Sequence, residues 1–193
     1  CTPFGNVGVI TKADRNMLGA INDKPATAFL QEQLRSLAGD DLELAPNVPL
    51  FLGIAMDPFQ IHEPAHGQFL IRNILGFEPN TGSLAVGAML PLGRPVQFHL
   101  RDGSTSDEDL RNVLTDREHK EDYRGALLFS CLGRGEHLYG EPHHDSRVFR
   151  ELLGQVPLSG FFCNGEIGPV HNTTYLHGYT SAFGVFRQRS PEA

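Results

Sequence analysis

The sequence predicts an α+β fold, with a largely antiparallel sheet of about eight or nine strands and three main helices. Three observations predict it. Short β-branched or alternating runs follow one another with turn residues between them rather than helices, as in Val7–Thr11 and Met17–Ile21. Only three stretches carry helical spacing together with start and stop signals. The composition is globular, with 40% hydrophobic and 20% charged residues in 193.

The elements follow in order. Val7–Thr11 and Met17–Ile21 read as a hairpin around Asp14-Arg15-Asn16. Asn22-Asp23-Lys24-Pro25 then opens a helix, with Pro25 in the first turn where its missing N–H is not needed. Ala28, Leu30, Leu34 and Leu37 continue it, and Gly39 is its expected stop. Ala45–Pro49 and Asp57–Gly67 read as loops. Leu50–Met56, Phe69–Leu75 and Ser83–Val86 read as strands. Val96–Leu100 alternates strictly, which places Gln97 and His99 on one face, with His99 a surface or pocket-wall residue. Thr105 or Ser106, followed by acidic residues, is the expected cap of a second helix reaching about His119. Gly125–Ser130 is an apolar strand. Asp145 is the expected cap of a third helix, carrying Val148, Phe149 and Leu152 and ended by Gly154. Leu158–Phe162, Thr173–Leu176 and Ala182–Phe186 complete the strands. No repeat, low-complexity segment or linker interrupts the chain, so one domain over residues 1–193 is expected.

Charge and composition exclude several partners. The net charge is -7, and the 16 basic residues are scattered. Neutralising a phosphate backbone or an anionic membrane surface needs clustered Lys and Arg. Neither nucleic acid nor membrane is therefore an expected partner. Apolar runs fall far short of the roughly 20 residues that span a bilayer. The three cysteines form no dense even-numbered framework, which points to a reducing, cytoplasmic compartment.

Candidate chemistry concentrates between Arg124 and Tyr179, where polar residues follow apolar strands and sit among glycines. Cys131 follows such a strand, and Arg134 stands three residues on, where it could pair with a carboxylate ligand. Cys163, Asn164 and Glu166 form the second loop, with Asn164 and Glu166 able to hold an ammonium group. The two loops together suit a zwitterion such as an amino acid. The structural alternative makes Cys131 a core residue and Asn164 a left-handed turn. His143, His144, His177 and Tyr179 are further candidates. Their spacing matches no zinc motif, so no metal and no cofactor is expected, although a haem held by one histidine would leave no sequence pattern. Cys1-Thr2-Pro3-Phe4-Gly5 reads as mid-protein sequence, and a fragment is expected. If a precursor were instead cut before Cys1, that cysteine would be a candidate N-terminal nucleophile of an amidohydrolase.

These segments carry a family likeness. Cys1–Gly5, Ala65–Asn73, Val96–Asp102, Gly125–Gly135, Gly140–Phe149, Pro157–Pro169 and Leu176–Phe186 together resemble the C-terminal domain of the FIST family. The resemblance implies a sensory domain for a small polar ligand, with amino acids proposed. It implies occurrence in bacterial signal-transduction proteins and in eukaryotic F-box receptors, and haem-based nitric-oxide sensing in some members. It also implies a partner, the N-terminal half of the FIST module, which this chain lacks.

Overall fold

The computed structural model describes residues 1–38, 49–57, 59, 67–115, 123–170 and 173–188. Within them the chain is mixed α and β, with mainly antiparallel pairing. It divides into two compact units, Cys1–Arg101 and Asp102–Ala193. The expected helix stop at Gly39, the end of the second helix near His119, and His171 lie outside the described residues. So does most of the loop expected over Asp57–Gly67.

The first unit contains β1 (Thr2–Asp14), β2 (Met17–Ile21), β3 (Lys24–Pro25), α1 (Ala26–Ala38), β4 (Leu50–Ala55), β5 (Phe69–Glu78), β6 (Ser83–Val86) and β7 (Pro95–Leu100). The strands run in the order β1-β7-β4-β5-β6-β2, and β2 pairs back onto β1. The result is a closed six-stranded antiparallel barrel, with β3 attached to β2. One strand makes closure possible. β1 pairs with β7 through Thr2–Phe4 and, beyond an irregularity, through Gly8–Val9, while its last residues pair with β2. Gly5 sits in that irregularity at φ +64, and a Cβ there would lie 2.5 Å from Oε1 of Gln33. A bulge at a barrel corner needs such a residue. Gln33 holds the corner by accepting from the Asn6 N–H at 2.7 Å, and Gln97 Nε2 donates to the Gly5 carbonyl at 2.8 Å.

The barrel core is aliphatic and aromatic. Ile10, Leu18, Ile21, Leu52, Val86, Val96 and Phe98 are buried, and Phe29, Leu30 and Leu34 of α1 belong to the same cluster. Phe98 lies against both Phe4 and Phe29, with ring centroids 6.1 and 6.3 Å away. The β2–β3 turn places Asn22 and Asp23 at φ 49 and 63, the left-handed pair that a two-residue hairpin of matching twist requires. The expected surface or pocket-wall position of His99 on β7 is a buried one. Gln97 and His99 are buried because both faces of β7 are covered and Phe69 packs edge-on against His99.

The second unit contains α2 (Gly103–Thr115), β8 (Tyr123–Cys131), α3 (Glu136–Tyr139), α4 (His144–Leu153), β9 (Leu158–Cys163), β10 (Glu166–Val170), β11 (Thr173–His177) and β12 (Ser181–Arg187). The sheet order is β12-β8-β9, and β10 and β11 form a separate hairpin. β8 and β9 are parallel and joined through α3 and α4, so one βαβ crossover sits in an otherwise antiparallel chain. The described residues hold twelve strands and four helices, more than the sequence predicts. The added elements are short: β3, α3, and β10, which the sequence reads as a polar loop. Leu110 and Leu114 of α2, Ala126 of β8, and Val148, Phe149 and Leu153 of α4 form the core. The rings of Phe149 and Phe183 stack at 5.6 Å. α2 starts earlier than its expected cap, because Asp102 accepts from the Thr105 N–H at 2.6 Å and from Ser104 Oγ at 2.8 Å. Among the described residues no helix is long and apolar enough to cross a membrane.

Removing the barrel's central ring should be costly. Phe98→Ala is expected to destabilise the first unit by about 3–5 kcal/mol. Urea unfolding followed by circular dichroism measures this, and a cost below about 1 kcal/mol would contradict the packing described.

Candidate functional site

β8 is the middle strand of its sheet, and its side chains divide between two faces. Ala126, Leu128 and Ser130 share a face, and Ala126 belongs to the core cluster that α2 and α4 build. A polar residue at the end of such a row needs a partner. Ser130 finds it in Asp145, in the first turn of α4, donating to Oδ2 at 3.0 Å. Ser181 of β12, the register partner of Ser130, donates to the same oxygen. Arg134 closes the group as a bidentate pair, with Nε 2.8 Å from Oδ2 and Nη2 2.9 Å from Oδ1. Its Nη1 donates to Ser106 Oγ at 2.9 Å. Arg134 and Asp145 are each 7% exposed.

Burial opposes the charge on Asp145, but the hydrogen bonds and charge of Arg134 outweigh it and hold the carboxyl well below the usual carboxylate range. Burial likewise opposes the charge on Arg134, and the Asp145 carboxylate more than restores it. His144 extends the network, with Nε2 2.8 Å from Asp107 Oδ1 and Nδ1 3.2 Å from Asp145 Oδ1. Tyr139 stacks on the His144 ring at 3.5 Å and lies under the Arg134 guanidinium at 5.5 Å. Burial pushes the Tyr139 hydroxyl up to about 12, which keeps it a neutral partner for Ser106 at 3.0 Å.

A second buried carboxylate lies at the start of β10. Glu166 is 3% exposed. Its Oε2 accepts from Thr180 Oγ1 at 2.8 Å, and its Oε1 lies 3.3 Å from Cys163 Sγ. Partial burial and the Glu166 hydrogen bond push the Cys163 thiol up, the opposite of what an activated nucleophile needs.

The sequence candidates therefore separate into groups. Arg134 and His144 belong to the Asp145 network, while Cys131, Cys163 and Glu166 gather at the ends of β8 and β9. Asn164 is exposed, and so is His143, which precedes α4 at φ 62 and is its N-cap. Asp145 is thus the charge partner of Arg134 rather than the helix cap. His177 Nε2 lies 3.1 Å from the Gly168 carbonyl across the β10–β11 hairpin. Tyr179 takes φ 63 beside Thr180. Cys1 is half-buried before β1 in the first unit. Among the described residues no group of three or more His, Cys, Asp or Glu side chains is placed to hold a metal ion. Sequence reasoning missed Ser130, Ser181, Thr180, Asp107 and Tyr139. Only Ser130 left a signal, as a polar residue in an inward row.

An open cleft of about 230 Å³ adjoins the Asp145 network. Ser130, His144, Ser146, Phe161 and Phe162 line it, together with Gly135. α4 begins there with His143 as its N-cap and, among the described residues, no side-chain cap hydrogen bond.

The sequence matches the FIST C domain over residues 26–169. The chain belongs to that family. The match takes in both carboxylate networks except their β12 side, where Thr180 and Ser181 lie beyond it. An uncharacterized protein of Mycobacterium tuberculosis is 38% identical over 189 residues, which is 96% of this chain and 49% of that protein. A second, from Mycobacterium bovis, is 36% identical over 188 residues, 96% of this chain and 48% of that protein. An F-box/LRR-repeat protein of Arabidopsis thaliana is 29% identical over 118 residues, 52% of this chain and 22% of that protein. The FIST chain thus spans about half the length of the mycobacterial relatives it matches. The family is one of sensory-type domains.

The Asp145 pair should be visible in stability. Asp145→Asn leaves Arg134 buried without a full charge partner and is expected to cost about 3–5 kcal/mol. The folded carboxyl titrates below its unfolded value of about 3.9, so its contribution is present above that pH and lost as pH falls further. Thermal unfolding of the wild type from pH 7 to pH 2 should therefore show falling stability below about pH 4, with a shallower fall in Asp145→Asn. Equal slopes would count against the pair.

Proposed function

We propose that this chain is a ligand-sensing domain whose ligand is a small polar molecule bearing a carboxylate, with an amino acid as the leading candidate. The observation that carries this reading is the open cleft at the start of α4. A helix start without a side-chain cap favours an anion, through its first-turn N–H groups and the helix dipole. Phe161 and Phe162 offer an apolar wall to the rest of the ligand, and Ser130 and Ser146 add hydroxyls at the rim. The carboxylate is assigned to the α4 start rather than to Arg134, whose donors already serve Asp145 and Ser106. Glu166 is similarly engaged by Thr180 and Cys163, so its role is to position the β10 loop.

The proposed partner for readout is the other half of a FIST module, with ligand favouring one of two arrangements of the halves. Three free cysteines agree with a cytoplasmic setting.

Calorimetric titration of the full chain with the common amino acids tests the reading. At least one should bind, and Phe162→Ala should weaken it about tenfold, or ~1.4 kcal/mol. Absence of binding at millimolar ligand, or an unchanged affinity in Phe162→Ala, would remove support for the cleft.

A further inference from the structure

Cys131 and Cys163 end two neighbouring parallel strands and are register partners. Phe129 and Phe161, two residues earlier on the same strands, are also partners, and their rings meet edge to face at 5.2 Å. Side chains alternate along a strand, so the two cysteines project from the face that carries those rings. Pairing continues past them, since the Leu132 N–H donates to the Cys163 carbonyl at 2.9 Å. Neighbouring strands lie about 4.8 Å apart, which falls inside the roughly 4.4–6.8 Å Cα window of a disulfide.

Accessibility differs between the two. Cys131 is 6% exposed, whereas Cys163 is half-buried. The Cys163 thiol faces a carboxylate oxygen of Glu166 at 3.3 Å and the Ser130 carbonyl at 3.6 Å.

We propose that Cys131 and Cys163 form a reversible disulfide, a redox-responsive modification site at the carboxyl ends of β8 and β9. The oxidant is a small disulfide such as oxidised glutathione. Cys163 loses its proton to solvent and its thiolate attacks one sulfur, forming a mixed disulfide and releasing one glutathione thiolate, which takes up a proton. Cys131 then attacks the Cys163 sulfur, and the second glutathione leaves. Two protein thiols and one oxidised glutathione give one protein disulfide and two reduced glutathione molecules, with both protons ending on the released thiols. Forming the bond removes the thiol donor from Glu166, so oxidation loosens one of the contacts that hold the β10 start. This inference does not depend on the identity of any ligand.

The test uses the folded full chain with Cys1→Ser, incubated with oxidised glutathione and read by intact mass and peptide mapping. The expected product has lost two hydrogens and yields one peptide linking residues 131 and 163, reversed by dithiothreitol. Cys131→Ser should instead stop at a glutathione adduct on Cys163. Should that variant fail to fold, timed alkylation of the Cys1→Ser chain replaces it. Cys163 should then label at least tenfold faster than Cys131, and labelling it should block the bridge. Overturning results are a stable glutathione adduct on Cys163 in the Cys1→Ser chain, or no linked peptide under native conditions. Faster labelling of Cys131 would reverse the order of attack and sink the mechanism.

Discussion

Placing a carboxylate in a protein interior is unfavourable by several kcal/mol unless its charge is answered by a partner and its lone pairs by donors. Asp145 meets both conditions. Arg134 supplies the charge and two donors, Ser130 and Ser181 supply two more, and His144 Nδ1 lies 3.2 Å from Oδ1. These residues come from the middle strand, the loop beyond it, the last strand and α4. Ser106 and Asp107 tie α2 to the same network through Arg134 and His144. One carboxylate therefore fixes where α4 begins relative to β8, β12 and α2. The cleft is a consequence of that placement, since its polar wall is the first turn of α4.

The Asp145 network also explains why α4 starts as it does. A helix normally finds a side-chain oxygen for its first N–H groups. Here the residue before the helix is His143 in a left-handed conformation, and the nearest carboxylate is turned inward to Arg134. The local device for satisfying the helix has been diverted to a tertiary role. Departures of this kind, where local chemistry is passed over, tend to fall at functional sites.

Legibility varied with the range of the interaction involved. β2 and β6 are found at the boundaries that periodicity predicts, because their side-chain patterns are local. The stop of α4 at Gly154 is legible for the same reason. Gln97 and His99 were not legible as buried, because alternation marks two faces but does not say that both are covered. β10 reads as a loop because its residues, Glu166-Ile167-Gly168-Pro169-Val170, gain strand character only from pairing with β11. The parallel pairing of β8 with β9 depends on a crossover that no window along the chain records. At the site, the residue types were visible but their partners were not. Arg134 carries the same local signature whether it meets a ligand or Asp145, and only the fold decides between them.

Closure of the barrel has a consequence for when it can form. β1, the first strand of the unit, is bonded to β7, its last, with Thr2 opposite Leu100. Most of the first unit must therefore exist before β1 acquires its second neighbour. During synthesis the chain passes through a period in which β1 and β2 can pair while the β7 side of β1 stays open. Long-range pairing of this sort slows folding and leaves an edge exposed until the final strand arrives. For a FIST chain, the vulnerable moment thus belongs to biogenesis, before the finished barrel exists.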